Sequence, residues 1–145
     1  MAIIRKATTN DSEKILSLLK QFPTDPEIPN IDWEDARKSL PQLISADGGM
    51  ILVSEHEGAL AGLVTLSFPL VLRFGGTYAL IEDFIVDESF RGKGVGSPLL
   101  QAAVKEARDK GCRELQVNGA SDIGKPVYIK NGMREAGSHL KITLN

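Results

Sequence analysis

The chain has few of the residues that build special-purpose proteins. Its single cysteine, Cys112, excludes an intrachain disulfide and any thiolate-based zinc site. Its two histidines, His56 and His139, are far apart in sequence and lack metal-ligand spacing, so no metal centre is expected. No charge sign dominates: 17 Lys and Arg stand against 19 Asp and Glu, for a net charge of −2. A nucleic-acid binder would show a basic surplus, so none is expected as a partner. Long hydrophobic runs are also missing. The most apolar stretch, residues 63–72, is interrupted by Thr65, Ser67 and Pro69 and is far too short to span a bilayer. The apolar start gives way to Arg5 and Lys6 too early for a secretory signal. These absences point to a cytoplasmic protein with no membrane partner. The remainder is ordinary, with 42% hydrophobic and 25% charged residues, and its 145 residues are expected to form one domain over 1–145.

Hydrophobic spacing divides the chain into elements. Residues 3–7 read as a strand, and Thr9-Asn10-Asp11 then supplies capping chemistry for a helix carrying Ile15, Leu16, Leu18, Leu19 and Phe22. Pro23, Pro26 and Pro29 end it. A second helix starts near Asp32 with Trp33, Ala36, Leu40, Leu43 and Ile44, and Pro41 is expected to kink or divide it. The period then changes. Residues 50–55 and 60–68 read as strands joined by a tight turn at Glu57-Gly58. Gly75-Gly76 makes another turn before a buried strand at 77–86, completing an antiparallel meander. A helix to Lys110 follows, with Val95, Leu99, Leu100, Ala103, Val104 and Ala107 on one face and Gly111 as its C-cap. A short strand at 114–117, a short helix around 124–131 and a closing strand or hairpin at 135–144 complete the chain. The order is strand, two helices, three strands, helix, strand, helix, strand. That is a mixed α/β sheet flanked by helices rather than a regular alternation.

The segment Arg91-Gly92-Lys93-Gly94-Val95-Gly96 lies between a buried strand and a helix. Glycine lets a backbone approach a ligand closely, and first-turn amides of a helix have no internal partner. The helix dipole adds partial positive charge, and Arg91 and Lys93 add whole charges, so a pyrophosphate is the natural guest. Two familiar spellings fit poorly. A Walker loop needs Ser or Thr after Gly-Lys, where this chain has Gly94. A dinucleotide fingerprint needs Gly-x-Gly-x-x-Gly close to the chain start, whereas here Gly92, Gly94 and Gly96 follow some eighty residues of other structure.

Arg91-x-x-Gly94-x-Gly96, preceded by residues 81–87 (Ile-Glu-Asp-Phe-Ile-Val-Asp), resembles the acetyl-coenzyme A (acetyl-CoA) segment of the GCN5-related N-acetyltransferases, the GNAT family. Val127-Tyr128-Ile129-Lys130-Asn131-Gly132-Met133 is similar to that family's Phe-Tyr-x-x-x-Gly-Phe segment, at matching separation. The resemblance implies a GNAT-type, mainly antiparallel central sheet, with acetyl-CoA as co-substrate and a small-molecule amine as acceptor. It implies that the backbones of Phe84, Ile85 and Val86 hold the pantetheine arm as an added pseudo-strand. Amides of Arg91, Gly92, Lys93, Gly94, Val95, Gly96 and Ser97 would hold the diphosphate, and Asn118 would stand near the thioester. A homodimer through sheet edges or terminal strands is implied as well. Ser121 replaces the asparagine common before the last helix, and Gly124 and Pro126 stand where helix formers are usual.

Acyl transfer to an amine needs a proton acceptor for the amine and a donor for the departing thiolate. Glu82 is the first candidate acceptor: a charge inside an apolar strand is costly without purpose, and strand alternation groups it with Phe84 and Val86, leaving Asp83 on the other side. Tyr128 is the candidate donor, since a phenol of pKa about 10 is mostly protonated at pH 7 and so still has a proton to offer the departing thiolate, whose acid lies near about 8.5. Without the resemblance, Tyr128 reads as packing. Between residues 25 and 35, Asp25, Glu27, Asp32, Glu34 and Asp35 occur with no Lys or Arg, forming either an amine-attracting rim or a solvated loop with helix-start acids. The expected activity is direct acetyl transfer in a ternary complex to a polyamine, amino sugar or amino-acid-like amine. Acetylation of a protein N-terminus or lysine, and a non-catalytic acyl-CoA-binding module, are the alternatives.

Overall fold

The computed structural model describes residues 2–23, 32–45 and 47–144. Five strands form the main sheet: β1 (Ala2–Lys6), β2 (Gly49–His56), β3 (Ala59–Ser67), β6 (Ala79–Val86) and β7 (Leu115–Val117), in the order β1-β2-β3-β6-β7. Every pairing is antiparallel except β6 with β7. Two-residue strands β4 (Leu70–Val71) and β5 (Gly76–Thr77) make a separate small hairpin that the sequence reading had only as a turn. Helices α1 (Ser12–Leu19) and α2 (Trp33–Ser45) cover one face of the sheet, and α3 (Gly96–Asp109) and α4 (Lys125–Lys130) the other.

The two faces follow from strand alternation. Ile51 and Val53 of β2 meet Ile15, Leu16 and Leu18 of α1 and Leu40 of α2, while Met50 and Leu52 meet Leu99, Leu100 and Ala103 of α3. Full burial of each such large aliphatic side chain is worth about 1.5–3 kcal/mol. Glu57 and Gly58 both have positive φ, as a tight hairpin with the strands' own twist requires. Gly111, at φ 74°, ends α3 as expected.

Two expectations need correction. Pro41, expected to kink or divide α2, does not divide it: the helix runs without interruption from Trp33 to Ser45. Pro41 is exposed, so the carbonyl that loses its amide partner can be hydrated. The closing strand at 135–144 is not formed: these residues lie outside any strand as far as 144, with Leu140, Ile142 and Leu144 exposed. Both sheet faces are already covered, so the alternation finds no core face of this chain to bury.

Near the chain start, the buried Asp11 carboxylate accepts two bonds from Arg5, at 2.8 and 2.9 Å, and one from the Thr8 amide at 2.8 Å. Arg5 also reaches Glu55 at 3.2 Å. Hydrogen bonding to Arg5, above all, holds the Asp11 carboxyl down at about 2. This network ties the start of α1 to β1 and β2.

Candidate active site

The site grows from an irregularity in β6. Thr65 of β3 stands opposite Asp83, while its neighbour Leu66 stands opposite Ile81, so Glu82 is an extra residue with no partner on β3. This is a β-bulge, a device that re-aims side chains. It explains why Ile81 and Phe84, three residues apart, pack into the same cluster beneath α3. It also corrects the sequence reading, because the two-residue alternation that grouped Glu82 with Phe84 does not run through the bulge. Glu82 is exposed. Asp83 is committed elsewhere: its carboxylate accepts from the buried Thr65 hydroxyl at 2.7 Å, and its amide donates to the same oxygen at 3.0 Å.

Beyond the bulge, the sheet opens. β7 pairs with β6 only from Ala79 to Ile81, ending at Val117 opposite Ile81. Among the described residues, positions 82–86 therefore have a strand neighbour on the β3 side alone. Phe84, Ile85 and Val86 lie along this margin, and the exposed Asn118 follows directly after β7 at its mouth. β7 ends at Val117, so the backbone of 84–86 has no paired strand on its far side among the described residues.

Residues 91–97 turn from the margin into α3. Gly92 and Gly94 have φ of 75° and 77°, a region where other residues are strained, and no atom lies within 4 Å of where a side chain would start. The Arg91 Nε donates to the Val86 carbonyl at 3.2 Å. Val95 is buried and anchors the turn, while Arg91 and Lys93 remain exposed. Gly96 and Ser97 open the helix, where first-turn amides lack internal acceptors. Pro98 falls in that first turn, so it costs no intrahelical bond.

Tyr128 comes from α4 and is 5% exposed. Its ring centre lies 5.5 Å from that of Phe84, tilted by 60°. Burial pushes its phenol up to about 12. Gly124 is explained here: a side chain would begin 3.4 Å from the Tyr128 ring and 3.2 Å from the Ser121 hydroxyl. Ser121 also accepts the Gly124 amide at 3.0 Å, and Pro126 lies in the first turn of α4, so these departures from the usual helix formers support the helix.

Asn131 lies three residues after Tyr128, where the sequence pattern alone assigns it no task. Its side chain donates to the Ser97 hydroxyl at 3.0 Å and to the Val127 carbonyl at 2.8 Å, and accepts from Gln101 at 3.1 Å. It thereby fastens α4 to the first turns of α3. The structure thus brings Phe84, Gly96 and Tyr128 together, with Glu82 exposed in the bulge two residues before Phe84 and Arg91 and Lys93 exposed in the loop that leads into α3.

The acidic rim is partly reassigned. Asp25 and Glu27 lie outside the described residues. Asp32 caps α2, accepting the Glu34 and Asp35 amides at 2.9 and 3.3 Å, and Glu34 pairs with Arg37. Half-buried Trp33 packs on the core beneath α1, with the Lys20 ammonium 5.4 Å from its ring centre. Among the described residues, no group of three His, Cys, Asp or Glu could hold a metal, and no helix is long and apolar enough to cross a membrane.

The family model for the acetyltransferase (GNAT) family matches residues 12–131. The chain belongs to the GNAT family. It is an acyltransferase with that family's mixed, mainly antiparallel fold. A rice (Oryza sativa) protein named a probable glucosamine 6-phosphate N-acetyltransferase is 28% identical over 96% of this chain and 86% of its own length. A Salmonella typhimurium aminoalkylphosphonate N-acetyltransferase is 23% identical over 97% of this chain and 88% of its own length. The crystal structure of an Arabidopsis thaliana glucosamine-6-phosphate N-acetyltransferase superposes with a TM-score of 0.83 at 25% identity, covering 100% of this chain and 99% of the other. These GNAT relatives support N-acetylation of a small-molecule amine.

Proposed function

We propose that this chain, as one domain, transfers the acetyl group of acetyl-CoA to the primary amine of a small molecule that also carries a phosphate or phosphonate. The observation that carries the donor half is the stretch of β6 at 82–86, which has a strand partner on the β3 side alone, begins with the Glu82 bulge and packs Phe84 on Tyr128. The acceptor class rests on the names of the rice and Salmonella relatives, whose substrates combine an amine with a phosphorus oxyanion.

Acetyl-CoA supplies a thioester, an acyl group already activated for attack. Residues 84–86 align its arm, and the amides of 91–97, with Arg91 and Lys93, neutralise its diphosphate. Asn118 orients the arm beside the thioester. Glu82, directly or through a water, takes a proton from the incoming ammonium. The free amine then forms the C–N bond at the thioester carbonyl, its nitrogen sheds a second proton to solvent as the C–S bond breaks, and Glu82 later returns its own proton to solvent, with both substrates bound together. The Tyr128 phenol gives its proton to the departing sulfur, which leaves as a thiol, and Tyr128 regains a proton from solvent. Each proton transfer is worth on the order of a hundred- to ten-thousand-fold in rate.

A thiol-release assay with acetyl-CoA tests this against glucosamine 6-phosphate, aminoethylphosphonate, unphosphorylated glucosamine, spermidine and a peptide N-terminus. The expected result is turnover on the phosphorylated or phosphonylated amines with kcat/KM at least about tenfold above the others. Preference for spermidine or the peptide would overturn the acceptor class. Coenzyme A binding without turnover on any amine, unchanged in Tyr128→Phe, would reassign the chain as a binding module.

A further inference from the structure

The loop at 91–97 is launched from a single 3-10 turn, Glu88–Phe90, which residues outside both sequence motifs grip from two sides. From the end of α1, the Gln21 side-chain amide donates to the Asp87 carboxylate at 2.9 Å and accepts the Glu88 backbone N–H at 3.2 Å. Only a group with a donor and an acceptor side by side can make both bonds; a carboxylate or an ammonium cannot. Asp87 in turn accepts from the Ser89 amide at 2.9 Å and donates its own amide to the Ala61 carbonyl at 2.8 Å, joining the turn to β3. Ser89 first, and then Gln21, hold the Asp87 carboxyl below the usual carboxylate range, which keeps it an acceptor.

From the end of β2, the His56 ring packs on Phe90, with centres 5.2 Å apart and a 56° tilt. His56 Nε2 is shut away from solvent and makes no hydrogen bond among the described residues. A shielded ring nitrogen is costly to keep without a partner, so the contact this imidazole provides is its aromatic packing on Phe90. The Lys93 ammonium lies 5.6 Å from the centre of the same Phe90 ring, so the stack continues into the loop itself.

We infer that Gln21 and His56 are positioning residues for the acyl donor: they fix the Glu88–Phe90 turn, and through it hold Arg91 to Lys93 in the shape that receives a diphosphate. Neither is placed against the donor. The inference rests on the reading that residues 91–97 bind that diphosphate. It also links the segment that follows α1, on the opposite face of the sheet from α3, to the 91–97 loop through the Glu88–Phe90 turn.

The test measures coenzyme A affinity by calorimetry, and kcat, donor KM and amine KM by thiol release, in the full chain. The variants are Gln21→Met, Gln21→Glu, His56→Ala and His56→Phe. Gln21→Met and His56→Ala are expected to raise the Kd for coenzyme A and the donor KM about five- to twentyfold, with kcat and amine KM within about twofold of wild type. Gln21→Glu, which sets a carboxylate against Asp87, weakens donor binding at least as much. His56→Phe, which keeps an aromatic ring, restores affinity to within about twofold. Variants that bind coenzyme A as tightly as wild type overturn the inference. So does a His56→Phe variant no better than His56→Ala, or kcat and amine KM that move along with donor KM. Wild-type protein with no affinity for coenzyme A would refute the donor site itself, and the inference with it.

Discussion

Phe84 and Tyr128 face each other across the gap between β6 and α4, ring centres 5.5 Å apart. The contact holds the phenol by its ring, which separates its packing role from its chemical one. Tyr128→Phe keeps the ring and removes only the hydroxyl. The proposed role as proton donor predicts that kcat falls about a hundredfold, while the thermal midpoint moves by less than about 3 °C and coenzyme A affinity by less than about twofold. The pH dependence has a definite sign. Burial favours the neutral phenol and raises its pKa from 10 to about 12 in the folded state. The stability this contributes is complete below about pH 10 and is lost as pH rises towards 12. Wild type is therefore expected to lose thermal stability over that window more steeply than Tyr128→Phe.

The two adjacent carboxylates of β6 are predicted to behave differently. Glu82 is exposed in the bulge, whereas Asp83 bonds Thr65 twice. Glu82→Gln should lower kcat by at least about tenfold at neutral pH with an unchanged melting temperature. Asp83→Ala should cost about 1–3 kcal/mol of stability, because it leaves the buried Thr65 hydroxyl without its acceptor. Parallel denaturation and steady-state kinetics on both variants check the contrast. Loss of activity in Asp83→Ala at full stability would count against the assignment.

Glycine positions in the loop are predicted to differ for conformational reasons. At Gly94 there is room for a side chain, but the φ of 77° imposes a cost of about 1–2 kcal/mol on alanine. Gly94→Ala should therefore weaken coenzyme A binding about five- to tenfold. Gly96 has no positive φ, and its added carbon would meet Val127 methyls at 3.4 and 3.5 Å, an ordinary contact. Gly96→Ala should bind within about threefold of wild type. Calorimetric titration of both decides it.

Acid should attack the Arg5–Asp11 network. Its carboxyl is depressed in the folded state from 3.8 to about 2. The stabilisation is full above about pH 4 and fades as pH falls towards 2, as the folded state gives up its preference for the ionised form. Asp11→Ala should remove about 2 kcal/mol at neutral pH and flatten the acid limb of the stability profile between about pH 4 and 2. Urea melts of both proteins across that range measure it.

Much of the architecture can be read from local chemistry. Glu57-Gly58, Gly111 and Asp32 mark a hairpin, a helix end and a helix start because turns and caps depend on a few adjacent residues. The glycine turn at 91–97 was legible for the same reason. The bulge at Glu82 was not, since a register slip depends on the partner strand and leaves the sequence of β6 looking regular. Strands β4 and β5 are two residues each, too short to show a period. The Gln21–Asp87 bond joins residues 66 apart, and no local pattern announces it. Residues 135–144 show the opposite limit, since alternation records a tendency and does not by itself make a strand.

The end of β7 opposite Ile81 has a consequence beyond catalysis. A stretch paired on one side only, as at a sheet edge, is sticky: its unpaired amides and carbonyls can recruit an extended polypeptide, including a neighbouring copy. A pantetheine arm lying there would occupy the same groups, so the donor would double as a guard against misassembly. Light scattering of heated samples should show clumping delayed by saturating coenzyme A, and the cell's supply of that thiol would then help set how long each enzyme molecule lasts.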